Sequence, residues 1–244
     1  MKISPERAVR EIASQIHGSI PLFETHRIDF CCNGQRTLKE ACDQAGVPIE
    51  RMMSSLERIL NRTPSNPDAP SPWAKKSIPE LIDHILETHH TFTRTQLKRL
   101  LRLSEKVSRE HGTRHPEMIR LHGLFSTMAG ELEGHMAKEE AAVFPYLRRL
   151  WDVNQKGNRR EKPFDNEHYG QNPVDVLIWE HGMTGEEWLE IHRLIRDYTT
   201  PSDACASYRT LYQGLKELEE DLHRHIHLEN NILFYRLQEM GLLT

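Results

Sequence analysis

The 244-residue sequence lacks the features that mark several large classes of protein. Its longest apolar stretch, Ala141 to Leu147, has seven residues and contains Pro145, whereas a membrane span needs ~18–20 apolar residues. The start of the chain has no apolar segment of the kind found in a secretory signal. A formal net charge of -4 gives no electrostatic reason to expect nucleic acid or an anionic membrane as a partner.

Cysteine is also scarce, with four residues at positions 31, 32, 42 and 205. They are too few and too unevenly spaced for a disulfide framework in a chain of this length. We therefore expect reduced thiols and a cytoplasmic location. No segment alternates apolar and polar residues between turn signals, so we also expect an all-α protein.

A proline-rich stretch divides the chain. Residues 62–72 contain four prolines and no apolar period, which predicts a stiff, extended linker. We accordingly predict a small helical domain over residues 1–62, a linker over 63–75 and a larger domain over 76–244.

The small domain carries several helix signals. Ser4-Pro5 predicts the start of a first helix, with Ala8, Ile12 and Ile16 at helical spacing. The sequence from Thr37 to Glu40 is a capping box, which predicts the start of another helix. The adjacent Cys31 and Cys32 come shortly before it.

The larger domain contains four long amphipathic stretches. They run from Ile78 to Glu110, Pro116 to Trp151, Pro173 to Tyr198 and Cys205 to Met240. Four helices with apolar stripes, joined by polar connectors, predict a four-helix bundle.

Histidine is abundant, with 15 residues, and two of them belong to an internal repeat. His135 and Glu139 on the second bundle helix recur as His225 and Glu229 on the fourth, at an offset of 90 residues. In each pair the two side chains are one helical turn apart and continue a stripe of leucine and methionine. Both pairs should therefore point into the bundle core, where a carboxylate requires a compensating cation.

The other two bundle helices each offer an inward histidine. On the third helix His181 continues a stripe that begins at Val174. On the first helix His84, His89 and His90 compete, and the pattern alone does not separate His89 from His90.

Four histidines and two glutamates at one level suit two octahedral-type cations bridged by carboxylates, whereas a structural zinc site needs four ligands. Imidazole with carboxylate favours transition metals, and a di-iron centre fits best.

A ferritin-like site is the competing metal arrangement. It requires Glu-x-x-His on two helices, a spacing that occurs at Glu87–His90 and Glu220–His223. Glu220 and His223 lie off the leucine stripe of their helix, and this alternative leaves the repeated His-x3-Glu pairs unexplained.

With these motifs the large domain resembles the hemerythrin-like bundles. The stretch from Asp29 to Gly34, followed by Thr37-Leu38, is similar to the small cysteine-bearing domain of the ScdA type. The two in this order resemble the iron-sulfur cluster repair di-iron proteins, the RIC or YtfE type. That resemblance implies a hemerythrin-like four-helix bundle preceded by a small helical domain.

The resemblance also assigns residues. It implies two non-haem irons held by six ligands and bridged by the two glutamates: His90, His135, Glu139, His181, His225 and Glu229. It implies further that Glu131 and Glu180 line the route to the irons. It draws attention to Cys31 and Cys32, which could deliver electrons or receive iron or a nitrosyl group.

The implied function is repair of iron-sulfur clusters damaged by nitrosative or oxidative stress. The centre would either donate iron or reduce nitric oxide to nitrous oxide, and the partners would be proteins with damaged clusters. The alternative is a hemerythrin that binds or senses dioxygen without catalysis, and the Cys31-Cys32 domain argues against it. A homodimer is compatible with the sequence.

Overall fold

The computed structural model describes residues 3–16, 18–62, 72–157 and 172–243. Within these ranges the regular structure is helical, and pairing between extended segments is limited to one bridge between Ala8 and Thr37. The prediction of an all-α protein is confirmed. Among the described residues, no helix is both long and apolar enough to cross a membrane.

Short helices form the N-terminal part of the chain. They are α1 (Val9–Gln15), α2 (Ser19–His26), α3 (Leu38–Ala45), α4 (Ile49–Arg62) and the single turn α5 (Pro72–Lys75). The predicted capping box at the start of α3 is present, because the Glu40 amide donates to Thr37 Oγ1 and the Thr37 amide donates to Glu40 Oε2. The helix ends at Gly46, whose φ of 67° is readily adopted only by glycine.

Two details of this region differ from the sequence-based prediction. Helix α1 begins at Val9 and not at Ser4, because Ser4 caps a local turn at Glu6 and Ala8 pairs with Thr37. Helix α2 was not predicted. It is only eight residues long and weakly amphipathic, so its sequence carries little helical period.

Four long helices follow, close to the predicted bounds. Helix α6 comprises Ile78–His84, Ile85–His90 and Thr91–His111; α7 comprises Glu117–Lys138, Glu139–Val143 and Phe144–Gln155; α8 is Pro173–Ile195; α9 comprises Ala206–Leu228, Glu229–Phe234 and Tyr235–Glu239. The middle segments of α6, α7 and α9 are π-helical turns. Such turns are rare and frequently occur at functional sites. Here one ends at His90, and the others begin at Glu139 and Glu229.

The chain packs into two compact units. The bundle unit is Asp83–Leu222, and the terminal unit consists of Met1–Ile82 with His223–Thr244. In the bundle unit α6, α7, α8 and α9 all contribute to one apolar core, which includes Leu100, Phe125, Trp188 and Leu215. This arrangement confirms the predicted four-helix bundle.

The terminal unit has its own apolar core. Phe23, Phe30, Leu38 and Leu56 from the N-terminal region are fully or almost fully buried there, and Ile226 of α9 joins them. The domain boundaries at residues 62 and 75 stay a prediction. Residues 63–71 of the expected linker lie outside the described residues, and Pro72–Lys75 at its end forms a helical turn begun by proline.

Candidate metal centre

A buried carboxylate on α7 joins two histidines of the bundle unit. Glu139 has no exposed surface, and its Oε2 lies 3.3 Å from Nε2 of His90 on α6. Its Oε1 lies 3.2 Å from Nε2 of His135, one turn earlier on α7. Each oxygen of Glu139 therefore faces a different imidazole, as expected of a carboxylate that bridges two cations.

A third imidazole, from α8, completes this group. His181 is buried, and its Nε2 lies 3.0 Å from Nε2 of His135. Ligand atoms of His135, His181 and Glu139 all lie within 4.8 Å of one another. Imidazole nitrogens and carboxylate oxygens converging at this distance are a donor set for a transition metal.

Two outer carboxylates bind the opposite nitrogens of the same rings. Glu140 Oε1 lies 2.7 Å from His90 Nδ1, and Glu180 Oε2 lies 2.8 Å from His135 Nδ1. A carboxylate accepts hydrogen bonds, so each Nδ1 carries the proton and each Nε2 keeps its lone pair for the interior. Glu180, which the resemblance placed on the route to the irons, thus contacts the predicted ligand His135 directly.

Cations accompany both outer carboxylates. Arg94 Nη1 donates to Glu140 over 2.7 Å, and Lys138 forms an ion pair with Glu180. Burial opposes ionisation of Glu180, but the hydrogen bonds from Lys138 and His135 outweigh it and lower the pKa of this carboxyl. The pKa of Glu140 is lowered in the same way, because the bonds from Arg94 and His90 outweigh the cost of burial.

The competing histidines have other partners. His89 is buried beside Asp221, with 3.0 Å between Nδ1 and Oδ2, so His90 and not His89 faces Glu139. The ferritin-like alternative is not favoured, because Glu87 is exposed and His223 hydrogen-bonds Glu24 within the terminal unit.

The second repeat of the motif lies in the terminal unit. His225 Nε2 is 2.9 Å from Glu229 Oε1, and both side chains are buried. The spacing therefore gives the same close His–Glu pair on α9 as on α7.

The predicted cysteines form a compact group in the terminal unit. The two sulfurs are 3.6 Å apart, and Asp29 Oδ1 accepts the backbone amides of Cys31 and Cys32. Ligand atoms of Asp29, Cys31 and Cys32 lie within 4.8 Å of one another, as in a metal site. The hydrogen bond with Cys32, together with burial and the charge of Asp29, raises the pKa of the Cys31 thiol well above its usual value.

Helix α9 holds this cysteine segment through two asparagines that the sequence analysis did not single out. Asn230 donates to the Cys31 carbonyl over 3.2 Å, and Asn231 donates to the Phe30 carbonyl over 2.9 Å. Both asparagines directly follow Glu229 in the π-helical turn of α9. The π-helical turn that begins at Glu229 therefore holds the backbone at Phe30 and Cys31.

The remaining predicted residue, Glu131, is exposed and pairs with Glu187 of α8. Burial, the hydrogen bond with Glu131 and the charges of Glu131 and Glu190 raise the pKa of Glu187 to about 7. Two carboxyl groups that share one site cannot both ionise easily.

Comparison with known proteins agrees with this geometry. Residues 81–237 match the family model "Hemerythrin HHE cation binding domain", and residues 5–60 match ScdA_N, a domain of unknown function. The chain is 32% identical to the "Probable iron-sulfur cluster repair protein" of Haemophilus influenzae, over 95% of this chain and 96% of that protein. It is also 32% identical to the "Iron-sulfur cluster repair protein YtfE" of Dickeya chrysanthemi, over 95% and 96% of the two chains.

The raised pKa of Glu187 predicts a pH-dependent stability. Unfolded Glu187 ionises near pH 4.5, whereas the folded protein keeps the proton up to about pH 7. The free energy of unfolding should therefore fall as the pH rises through this window. Glu187→Gln should flatten the slope and raise stability at pH 7.5, by a small amount because the half-buried group is partly screened by water. Urea unfolding at pH 5 and 7.5 measures the change in the free energy of unfolding, with Glu186→Gln, an exposed position, as the control. An equal change with pH in the wild type, Glu187→Gln and Glu186→Gln would contradict the raised pKa of Glu187.

Proposed function

Because the chain belongs to the hemerythrin HHE cation-binding family and to the iron-sulfur cluster repair proteins of the YtfE type, we propose that it repairs damaged iron-sulfur clusters with a di-iron centre. The observation that carries this proposal is Glu139, which is fully buried and presents one oxygen to His90 and the other to His135. A carboxylate in that position requires positive charge on both sides.

The proposed centre uses six ligands. His90, His135, His181 and Glu139 come from the bundle unit, and we assign His225 and Glu229 as the remaining pair. Their assignment rests on the repeated His-x3-Glu motif and on the close His225–Glu229 pair within the terminal unit. Together the four imidazoles and two carboxylates would hold two irons, with Glu139 and Glu229 as the carboxylate ligands.

When bound, the irons supply electrons and two adjacent binding positions, so that two nitric oxide molecules, two electrons and two protons can yield nitrous oxide and water. The chain's own residues set the conditions for this chemistry. Glu139 is fully buried, which limits water at its oxygens, and Glu180 orients the His135 ring through a hydrogen bond. Glu187, whose pKa is raised to about 7 beside Glu131, keeps its proton up to near neutral pH, which suits a group that passes protons inward.

Iron donation is the other route to repair, with iron as the cargo. For this route we propose Asp29, Cys31 and Cys32 as the group that receives the iron. The raised pKa of Cys31 argues against a free thiolate. A thiol that gives up its proton only on binding a metal is compatible with this environment.

Damaged iron-sulfur proteins in the cytoplasm are the proposed partners, and nitric oxide or dioxygen the small ligands. A dioxygen carrier is the alternative function. The match of residues 5–60 to ScdA_N and the names of the relatives favour repair over that alternative.

The metal assignment predicts about two irons per chain in anaerobically purified protein. Glu139→Ala and Glu229→Ala should each lower the iron content to one iron or less, because a bridging carboxylate contacts both ions. His122→Ala is the control, since His122 instead hydrogen-bonds Ser104 over 3.0 Å. Iron analysis and circular dichroism of the same samples separate metal loss from unfolding. A wild-type protein that holds one zinc, or no metal, rules out the di-iron assignment.

The two routes predict different products. If reduction dominates, the reduced protein should consume nitric oxide anaerobically and form one nitrous oxide per two nitric oxide molecules while keeping its iron. If donation dominates, iron should leave the protein and restore activity to a nitrosylated iron-sulfur enzyme without nitrous oxide. Gas analysis with iron measurement after desalting distinguishes them, and the absence of both activities contradicts the proposed function.

The cysteine assignment predicts a variant with normal iron but weak repair. Replacing Cys31 and Cys32 by serine should leave the iron content unchanged, because neither sulfur belongs to the six ligands, and should slow cluster repair severalfold. Cys42→Ser, in the same apolar core, is the matched control. Repair at the wild-type rate by the double variant would remove the cysteines from the mechanism.

A further inference from the structure

One histidine of the proposed centre is bracketed by two consecutive glutamates. Glu139 Oε2 lies 3.3 Å from Nε2 of His90, and Glu140 Oε1 lies 2.7 Å from Nδ1 of the same ring. Both glutamates begin the π-helical turn Glu139–Val143 of α7. Glu139 is a proposed ligand, whereas Glu140 is not among the six.

The two distances place the proton of the neutral ring. A separation of 2.7 Å is typical of a charge-assisted hydrogen bond, and 3.3 Å exceeds the usual range for N–H to O. The Nδ1 atom therefore carries the hydrogen and donates it to Glu140. The Nε2 lone pair is left facing Glu139, where a metal ligand needs it.

Glu140 is itself held in place from the other side. Arg94 Nη1 donates to the same Oε1 atom over 2.7 Å, and Arg94 Nε donates to Glu133 Oε2 over 3.3 Å. Arg94 lies one turn after His90 on α6, while Glu133 and Glu140 lie on α7. Arg94 thus ties the carboxylate to the helix that carries the imidazole.

We propose that Glu140, held by Arg94, is a positioning residue that fixes the tautomer and orientation of His90 so that its Nε2 atom is available to metal. This inference rests on the proposed di-iron function for its purpose, but the tautomer itself is a property of the metal-free protein. His90 also packs against Phe144, with ring centroids 5.8 Å apart. This contact helps to orient the ring, so the main effect of Glu140 is on which ring nitrogen carries the hydrogen.

The first test uses metal-free protein at pH 8, where the ring is neutral. Two-bond ¹H–¹⁵N spectra distinguish the tautomers, and the His90 signals are identified by their loss in His90→Gln. Wild type should show protonated Nδ1. Glu140→Ala should shift most of the population to protonated Nε2, because Glu139 is then the closer acceptor. Glu140→Gln should restore the wild-type tautomer, since its amide oxygen accepts the same bond.

Glu133→Gln is the matched control. Glu133 lies on α7, as Glu140 does, and accepts a hydrogen bond from Arg94. This substitution should leave the tautomer unchanged. An unaltered tautomer in a folded Glu140→Ala protein overturns the proposal. Agreement of the circular dichroism spectra among the variants establishes that each is folded.

The second test measures Fe²⁺ affinity by anaerobic titration. Glu140→Ala should weaken binding about 10–100-fold, the usual loss for an outer partner of a metal-bound histidine. Glu140→Gln should lose less affinity than Glu140→Ala, and Glu133→Gln should bind Fe²⁺ about as tightly as the wild type. If the wild type binds no iron while the tautomer shifts as expected, the di-iron function fails and the positioning role stands. If iron binds equally to wild type and Glu140→Ala, the positioning role fails and the di-iron function stands.

Discussion

The structure of the bundle unit depends on one constraint, which is the burial of the Glu139 carboxylate among imidazoles. An isolated carboxylate in an apolar core costs several kcal/mol even after relaxation, so it must be neutralised or paired. Glu139 has no exposed surface, and its two oxygens face the imidazole rings of His90 and His135. Binding of a cation beside this carboxylate should therefore raise the free energy of unfolding of the bundle unit.

The outer layer has the same organisation at both histidines. A ring nitrogen donates outward to a carboxylate, and that carboxylate is balanced by a basic side chain: Glu140 with Arg94 at His90, and Glu180 with Lys138 at His135. The basic residues lie near the surface, where their charge is solvated, and the rings lie inside. Charge therefore alternates from solvent to core, and each imidazole presents Nε2, the nitrogen proposed to bind metal, to the interior.

Helical periodicity accounts for the part of this site that the sequence predicts. The i, i+4 spacing of His135 with Glu139 and of His225 with Glu229 was enough to place each pair on one face, and the leucine stripes showed which face is buried. The choice between His89 and His90 was beyond periodicity, because both side chains are buried and only their partners, Asp221 and Glu139, differ. Glu140 was missed for a similar reason, since its role depends on a ring from another helix.

The π-helical turn of α9 links two of the predicted motifs, the second His–Glu pair and the cysteine segment. In the terminal unit, Glu229 begins a turn whose next two residues, Asn230 and Asn231, hold the carbonyls of Cys31 and Phe30. Asn230 and Asn231 follow Glu229 directly in the chain, so their hydrogen bonds bring the cysteine segment next to the second His–Glu pair. The cysteine segment is thus held within the terminal unit by the turn that begins at Glu229, and this contact gives the proposed repair function a physical reason to have thiols beside a proposed ligand.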